Sequence, residues 1–168
     1  HVVSLCIVLR NRKTANLSTY LAFVDFKKAF DSVDRTLLLF KLKEIGIVGE
    51  IYSAIAAMYK CPRARVFLNK HPTNWFDCPS GVKQGDNVSP TLFSIFINDL
   101  VVGINELGLG VKIENRLEVN NTMVDNSFAL SCLLYADDLV FLAENAENLQ
   151  NMIDFLHKWC CDWRIEVN

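Results

Sequence analysis

The sequence predicts an α+β fold in which an antiparallel sheet is covered on one face by helices. Strand-like runs rich in aromatic and branched residues alternate with amphipathic helical stretches, and neighbouring strands join through hairpins rather than regular crossovers. No Gly-x-x-x-x-Gly-Lys-[Ser/Thr] loop follows any strand, which weakens a doubly wound alternative. The 168 residues, 51% hydrophobic and 21% charged, suit one compact domain or one domain with a small appended lobe. A chain of this length buries roughly two thirds of its unfolded surface and needs no disulfides.

Taken in order, residues 20 to 26 predict a buried strand ending near Asp25. A helix follows over 34 to 45, carried by Leu38, Leu42 and Ile45, with Asp31 or Ser32 as the capping candidate and Gly46 as the stop. A second helix spans 50 to 59 with Ile51, Ile55, Met58 and Tyr59 on one stripe, and Pro62 closes it. Residues 64 to 79 predict a hairpin around Lys70-His-Pro-Thr73. Ser89 is placed to cap a helix with Pro90 at its first position, and Leu92 to Ile104 is apolar on nearly every side, as an interior helix would be. Residues 108 to 126 predict a flexible hairpin or exposed strand pair.

Two apolar runs, 128 to 135 and 139 to 143, are separated only by Ala136, Asp137 and Asp138, so a tight hairpin should carry two acids at its tip. A last amphipathic helix over 146 to 160 turns Leu149, Ile153, Leu156 and Cys160 inward and leads to a short strand at 164 to 168. There is no internal repeat and no low-complexity linker.

The formal charge of −2 argues against a protein that grips nucleic acid through global positive charge. Local basic clusters remain at Arg10, Arg12 and Lys13, at Lys27 and Lys28, and at Lys60, Arg63 and Arg65, each ordinarily a solvated surface. The cysteines at 6, 61, 78, 132, 160 and 161 lack a Cys-x-x-Cys spacing and read as reduced, mostly buried small apolar residues of an intracellular protein. No apolar run reaches bilayer length and no charged-then-apolar leader opens the chain, so membrane and secretory readings fall away.

Acids at a strand end and a hairpin tip are costly inside apolar surroundings unless a cation neutralises them. Magnesium takes carboxylate oxygens, keeps several waters and shares its shell with substrate phosphates. Taken singly, the Asp-Asp pair is ordinary turn chemistry and Asp25 an ordinary strand-end cap. The context of all three segments is what changes that.

Phe23-Val-Asp-Phe-Lys-Lys-Ala-Phe-Asp-Ser-Val-Asp34, Ser80-Gly-Val-Lys-Gln-Gly-Asp-Asn-Val-Ser-Pro-Thr-Leu-Phe93 and Tyr135-Ala-Asp-Asp138 resemble, in order, the three palm motifs of the reverse transcriptase family. The likeness is greatest to the polymerases of non-LTR (LINE-type) retrotransposons and covers practically the whole chain. It implies a polymerase palm over about 17 to 46 and 85 to 168 and part of the fingers over about 47 to 84, with more of the fingers before His1 and the thumb after Asn168.

The resemblance further implies two magnesium ions, with manganese a possible substitute, held by Asp25 and Asp137 with Asp138 in support and the Phe26 carbonyl as a further ligand. The backbone amides of Lys28 and Ala29 would face the triphosphate. Phe30 matches the aromatic gate against a ribose 2′-hydroxyl. Gln84 would reach the nucleotide, Gly85 would let backbone approach the template, and Tyr135 would pack near the primer end. Where the family often has Cys-Pro, this chain has Asp86 and Asn87.

The likeness thus implies an RNA-directed DNA polymerase joining dNTPs to a DNA primer on an RNA template, weak or inactive as residues 1 to 168 alone. An endonuclease domain on the same full-length chain and nuclear action come from the same likeness. The rival expectations are a catalytically dead remnant that keeps the fold and binds nucleic acid, and an intron-encoded reverse transcriptase that assists splicing.

Overall fold

A computed structural model describes residues 1 to 119 and 122 to 168, a mixed helix and sheet fold whose chain forms two compact units. The first comprises His1–Lys27, Ile97–Asp162 and Glu166–Asn168; the second comprises Lys28–Phe96 and Trp163–Ile165.

The first unit is built on a three-stranded antiparallel sheet of β1 (Tyr20–Asp25), β8 (Cys132–Tyr135) and β9 (Asp138–Ala143), with β9 in the centre. β1 pairs with β9 from Tyr20 opposite Ala143 to Asp25 opposite Asp138. Side chains alternate across a strand, so Leu21, Phe23 and Asp25 share a face with Leu142, Val140 and Asp138. Half of that face is closed. Val140 and Leu142 form a buried cluster with Val111, packed by Leu5, Val8, Ile113 and Leu130.

Those covering residues come from α1 (Val2–Thr14) and from the hairpin of β6 (Val111–Val119) and β7 (Thr122–Leu130). The expected strand pair around 108 to 126 is thus a hairpin with nine residue pairs in register, its turn lying outside the described residues. The 128 to 135 run is two strands broken at Ser131. Neither α1 nor the one-turn α2 (Ala29–Ser32) was expected from the sequence.

α6 (Ala146–Trp163) buries Met152, Leu156, Trp159 and Cys160, sharing Leu156 and Cys160 with the expected set, while Leu149 and Ile153 are half-buried. Trp159 ties this helix to the sheet end, its ring 6.4 Å from that of Phe26 and its indole N–H donating to Asp99 at 3.1 Å. The expected strand at 164 to 168 is reduced to an isolated antiparallel bridge between Val167 and Phe26.

In the second unit α3 (Arg35–Glu44) is capped by Asp34, whose carboxylate accepts from the N–H groups of Thr36 and Leu37; Asp31 and Ser32 belong to α2 instead. Its inward stripe is Leu38, Lys41 and Leu42, while Ile45 is 58% exposed. Lys41 takes the inward place because its ammonium donates to the Phe96 carbonyl and lies 3.6 Å from the centre of the Trp163 ring, a cation–π contact that offsets its desolvation.

α4 (Gly49–Met58) buries Ile55, and Tyr59 just beyond it, but leaves Ile51 exposed. The hairpin expected over 64 to 79 is two nested short pairs, β2 (Arg63–Ala64) with β5 (Phe76–Asp77) and β3 (Phe67–Leu68) with β4 (His71–Pro72). α5 (Ser89–Glu106) begins at Ser89 itself, which is buried with its hydroxyl unpaired, so it does not act as the expected cap.

All six cysteines are free, but only Cys132 and Cys160 are buried, each thiol pushed by burial up to about 11; Cys6, Cys61 and Cys161 are exposed. No helix among the described residues is long and apolar enough to cross a membrane.

Arg12 is not a solvated residue of its basic cluster. It is 5% exposed and donates to Thr19 Oγ1 at 2.7 Å, the Ser18 carbonyl at 2.7 Å and Glu144 Oε1 at 3.1 Å, fastening α1 to the residue that follows β9. The Lys112 backbone N–H, and after it Arg12, hold the Glu144 carboxyl below its ordinary value of 4.5. A lowered carboxyl contributes stability above that ordinary value and loses it as pH falls through the folded one. Glu144→Gln should therefore cost about 1 kcal/mol at pH 7, discounted for the carboxylate's partial exposure. Urea unfolding across pH should show that difference shrinking below the ordinary carboxyl value; a constant difference would contradict the assignment.

Candidate active site

The sheet of the first unit is open at one end, and the acids lie there. In register, Asp25 of β1 stands opposite Asp138 of β9, and Asp138 stands opposite Tyr135 of β8, so the three form one row on one face. Directly opposed residues have Cβ atoms roughly 4.5–5.5 Å apart. Asp25, Asp138 and Tyr135 are exposed, and Asp137 is half-buried.

Asp137 and Ala136 are the two central residues of the β8–β9 turn, and Ala136 alone of the pair has a positive φ, 54°. That is the pattern of a type II′ connection, whose twist matches that of paired strands. An alanine held there is strained, and strain of this kind gathers at functional turns.

The residue aligned against Asp25 is Asp138, with Asp137 in the turn beside it. One sequence expectation changes: the acids are not buried, so desolvation is not what calls for a cation. Repulsion does: like charges directly opposite on a sheet destabilise it, and a bound cation would relieve that.

On its outer side β1 meets the C-terminal residues. The Asn168 backbone N–H donates to the Asp25 carbonyl at 2.9 Å and its side-chain amide to Asp25 Oδ2 at 2.6 Å. The Lys27 N–H donates to the Glu166 carbonyl at 2.8 Å, and the Lys27 ammonium pairs with the Glu166 carboxylate at 2.7 Å. This pairing around Phe26 and Val167 uses the carbonyl of Asp25 and the amide of Lys27, so it does not consume the Phe26 carbonyl.

Among the described residues no three His, Cys, Asp or Glu side chains gather into a ready-made metal cage. The donors that stand together are the carboxylates of Asp25 and Asp138 at the exposed sheet end, with Asp137 in the adjoining turn. They fit magnesium, which is ordinarily held by one or two carboxylates and completes its shell with water and substrate phosphate.

The second unit gathers Phe30, Gln84 and Gly85 around a depression of about 420 Å³, with Lys83, Asp86 and Pro90 also lining it. The Phe30 ring stacks on Phe93 at 4.5 Å between centroids, and the Phe30 carbonyl accepts from the Val82 N–H at 2.8 Å, so its position is fixed from two sides. Lys28 turns the chain with φ 49° into α2, and Ala29 is buried. Their amides belong to the start of that turn, where helical N–H groups lack intrahelical acceptors.

The Gln84 amide donates to Asp31 Oδ1 at 2.9 Å. Gly85 has φ +82° with open space where a Cβ would stand. Asp86, one of the two residues that depart from the family pattern, accepts from the Val88 N–H at 3.0 Å and closes the loop on itself. A larger cavity of about 840 Å³ in the same unit, lined by Arg35, Tyr52 and Tyr59 among others, holds none of the expected site residues.

Sequence reasoning missed what holds this loop. Arg35 donates to the carbonyls of Gly81 at 2.7 Å, Ser80 at 2.6 Å and Cys78. Ser80 Oγ donates to the Asp31 carbonyl at 3.0 Å, and a Cβ on Gly81 would stand 2.7 Å from the Asp31 backbone. Asp31 and Gly81 each lie within a motif segment, but nothing local in the sequence indicates that they touch.

The family model described as "Reverse transcriptase (RNA-dependent DNA polymerase)" matches residues 4–168. Among curated proteins the chain is 32% identical over 131 residues to the "Retrovirus-related Pol polyprotein from type-1 retrotransposable element R2" of Nasonia vitripennis, a match covering 78% of this chain and 12% of that one. It is 25% identical to the "RNA-directed DNA polymerase from mobile element jockey" of Drosophila melanogaster, over 88% of this chain and 15% of that protein. The chain thus spans a small part of its relatives' length. Among solved structures, an apo telomerase from Candida tropicalis overlays with a TM-score of 0.61 at 14% identity, covering 99% of this chain and 33% of that one, a likeness of fold.

The two loop glycines should respond differently to a methyl group. Gly81→Ala meets both a positive φ and the Asp31 backbone and should cost roughly 2 kcal/mol or more, whereas Gly85→Ala meets only the φ penalty of about 1 kcal/mol. Denaturant unfolding of the two variants tests this, and equal losses would refute the close approach at Gly81.

Proposed function

The chain belongs to the reverse transcriptase (RNA-dependent DNA polymerase) family, with relatives among non-LTR retrotransposon Pol polyproteins, and on that premise we propose that it carries the palm and part of the fingers of an RNA-directed DNA polymerase. The observation that supports this most directly is the row of Asp25 and Asp138 in register at an exposed sheet end, with Asp137 in the adjoining turn. Two neighbouring carboxylates at an exposed sheet end serve no packing purpose. They suit a site whose charge is balanced by cations that arrive with substrate.

In this reading Asp25 and Asp137, with the Phe26 carbonyl, hold two magnesium ions, and Asp138 supports them. Bound magnesium supplies Lewis acidity, lowering the pKa of the primer hydroxyl and neutralising charge on the departing pyrophosphate. The protein's own part is to orient. The β1–β9 pairing fixes the spacing of the carboxylates, the amides of Lys28 and Ala29 meet the triphosphate, and Gln84 and Gly85 meet the nucleotide and template. Tyr135, 68% exposed beside Asp138, offers a ring to the primer end.

Phe30 selects against ribonucleotides. Its ring cannot yield easily to a 2′-hydroxyl because Phe93 stacks behind it. The substrates are then an RNA template, a DNA primer and dNTPs, and the domain acts in the nucleus within a longer polyprotein that also carries an endonuclease. Residues 1 to 168 alone are expected to be weak or inactive, because thumb and remaining fingers would hold the duplex.

Primer extension on an RNA template tests the reading. Asp25→Asn and Asp137→Asn in the polyprotein should each lower magnesium-dependent synthesis by at least roughly a hundredfold while leaving the circular dichroism spectrum unchanged. Undiminished synthesis in either would reject the role given to that residue. Phe30→Val should raise ribonucleotide incorporation relative to dNTPs by about tenfold or more. An unchanged ratio would remove Phe30 from the gate.

A further inference from the structure

One unassigned contact in the first unit is made by Asn168. Its side-chain amide donates to Asp25 Oδ2 at 2.6 Å, and its own backbone N–H donates to the Asp25 carbonyl at 2.9 Å. The second bond belongs to strand pairing, since together with the Lys27 N–H to Glu166 carbonyl bond it forms the bridge between Phe26 and Val167. The first does not. The backbone already docks the segment, so the side-chain bond is an addition directed at one carboxylate oxygen.

We propose that Asn168 is a positioning residue for Asp25: its amide engages Oδ2, fixes the rotation of the carboxylate and leaves Oδ1 to bind a divalent cation. This rests on the metal-holding role given to Asp25 above. An aspartate side chain turns freely about two bonds, and exposed as Asp25 is, it would spend much of its time in rotamers unsuited to a ligand. One short hydrogen bond from a segment held by its own backbone bonds removes that freedom before the cation arrives. Hydrogen-bonded partners of metal-binding groups act in this way.

The residue type matters. A lysine or arginine here would neutralise Asp25 and compete with a cation. An aspartate would add a third negative charge to the pair Asp25 and Asp138. An amide donates a hydrogen bond while carrying no charge, so it orients the carboxylate and leaves its affinity for cations intact. The same segment carries a built-in comparison in Glu166, whose carboxylate pairs with Lys27 and does not engage Asp25.

The test is manganese binding to the substrate-free protein, read by electron paramagnetic resonance, with the magnesium dependence of primer extension beside it. Asn168→Leu should weaken manganese binding roughly tenfold and raise the half-activating magnesium concentration by a similar factor, with the rate largely recovered at saturating magnesium. Asn168→Ser, which keeps the backbone pairing and a short hydroxyl donor, should fall between Leu and the parent. Glu166→Ala should leave manganese affinity within about twofold, because it loosens the strand without touching Asp25.

Unchanged manganese binding in both Asn168 variants would overturn the proposal, as would an equal loss in Glu166→Ala, which would reduce the effect to strand docking. Asp25→Asn separates the two readings. If it abolishes manganese binding while the Asn168 variants do not alter it, only the positioning role fails; if Asp25→Asn itself binds normally, the metal role of Asp25 fails first. Thermal melting of each variant, expected within a few degrees of the parent, confirms that folded protein is being compared.

Discussion

The register between β1 and β9 is the constraint on which the rest depends. Because side chains alternate along a strand, a slip of one residue would carry Asp25 to the opposite face of the sheet and leave Asp138 without its counterpart. What prevents the slip lies at the other end of the same strands. Leu21 sits opposite Leu142, and Leu142 and Val140 are buried with Val111 beneath α1 and the β6–β7 hairpin. Each such side chain contributes about 1.5–3 kcal/mol when fully buried, and the slipped register would forfeit several at once. An apolar cluster therefore sets the spacing of acids that lie several residues away.

The features legible in the sequence were those with a short-range cause. The strand Tyr20–Asp25, though not the burial expected of it, the two-residue turn between apolar runs and the helices over 35 to 44, 49 to 58 and 146 to 163 follow from periodicity and stop signals that neighbours alone determine. Long-range facts were not legible. Asp31, Ser32 and Asp34 are all capping residue types, and only the folded chain shows that Asp34 caps α3 while Asp31 accepts from Gln84. Lys41 lies inside and Ile45 outside because a carbonyl and two rings happen to await the ammonium, which no periodicity reports. Arg12 and Glu144 are far apart in the chain, so the pair that buries the arginine had no local sign. The exposure of the acids likewise removed the premise that burial alone makes them costly, and with it one reason for doubting a decayed copy of the domain.

The second unit shows how a loop without regular structure is held still. Residues 78 to 81 give three carbonyls to one guanidinium, that of Arg35, while Ser80 and Gly81 close on the backbone of Asp31. A planar fork that spans several acceptors is what arginine provides and lysine cannot. Burial lowers the pKa of that guanidinium, with no effect on its charge near neutrality. The loop carrying Gln84 and Gly85 thus begins from a fixed point, and Asp86 folds it back before α5 starts.

The bridge between Phe26 and Val167 has a consequence beyond orientation. A strand end that presents unpaired amides and carbonyls is a template on which any extended peptide can add itself, and exposed Phe23, 74% accessible, would reward such an intruder with apolar contact. By occupying the outer margin of β1 just where the acids stand, residues 166 to 168 shut that margin to foreign strands. Strand addition is thereby blocked beside the acids, from Asp25 to Lys27, while the face that carries them stays reachable.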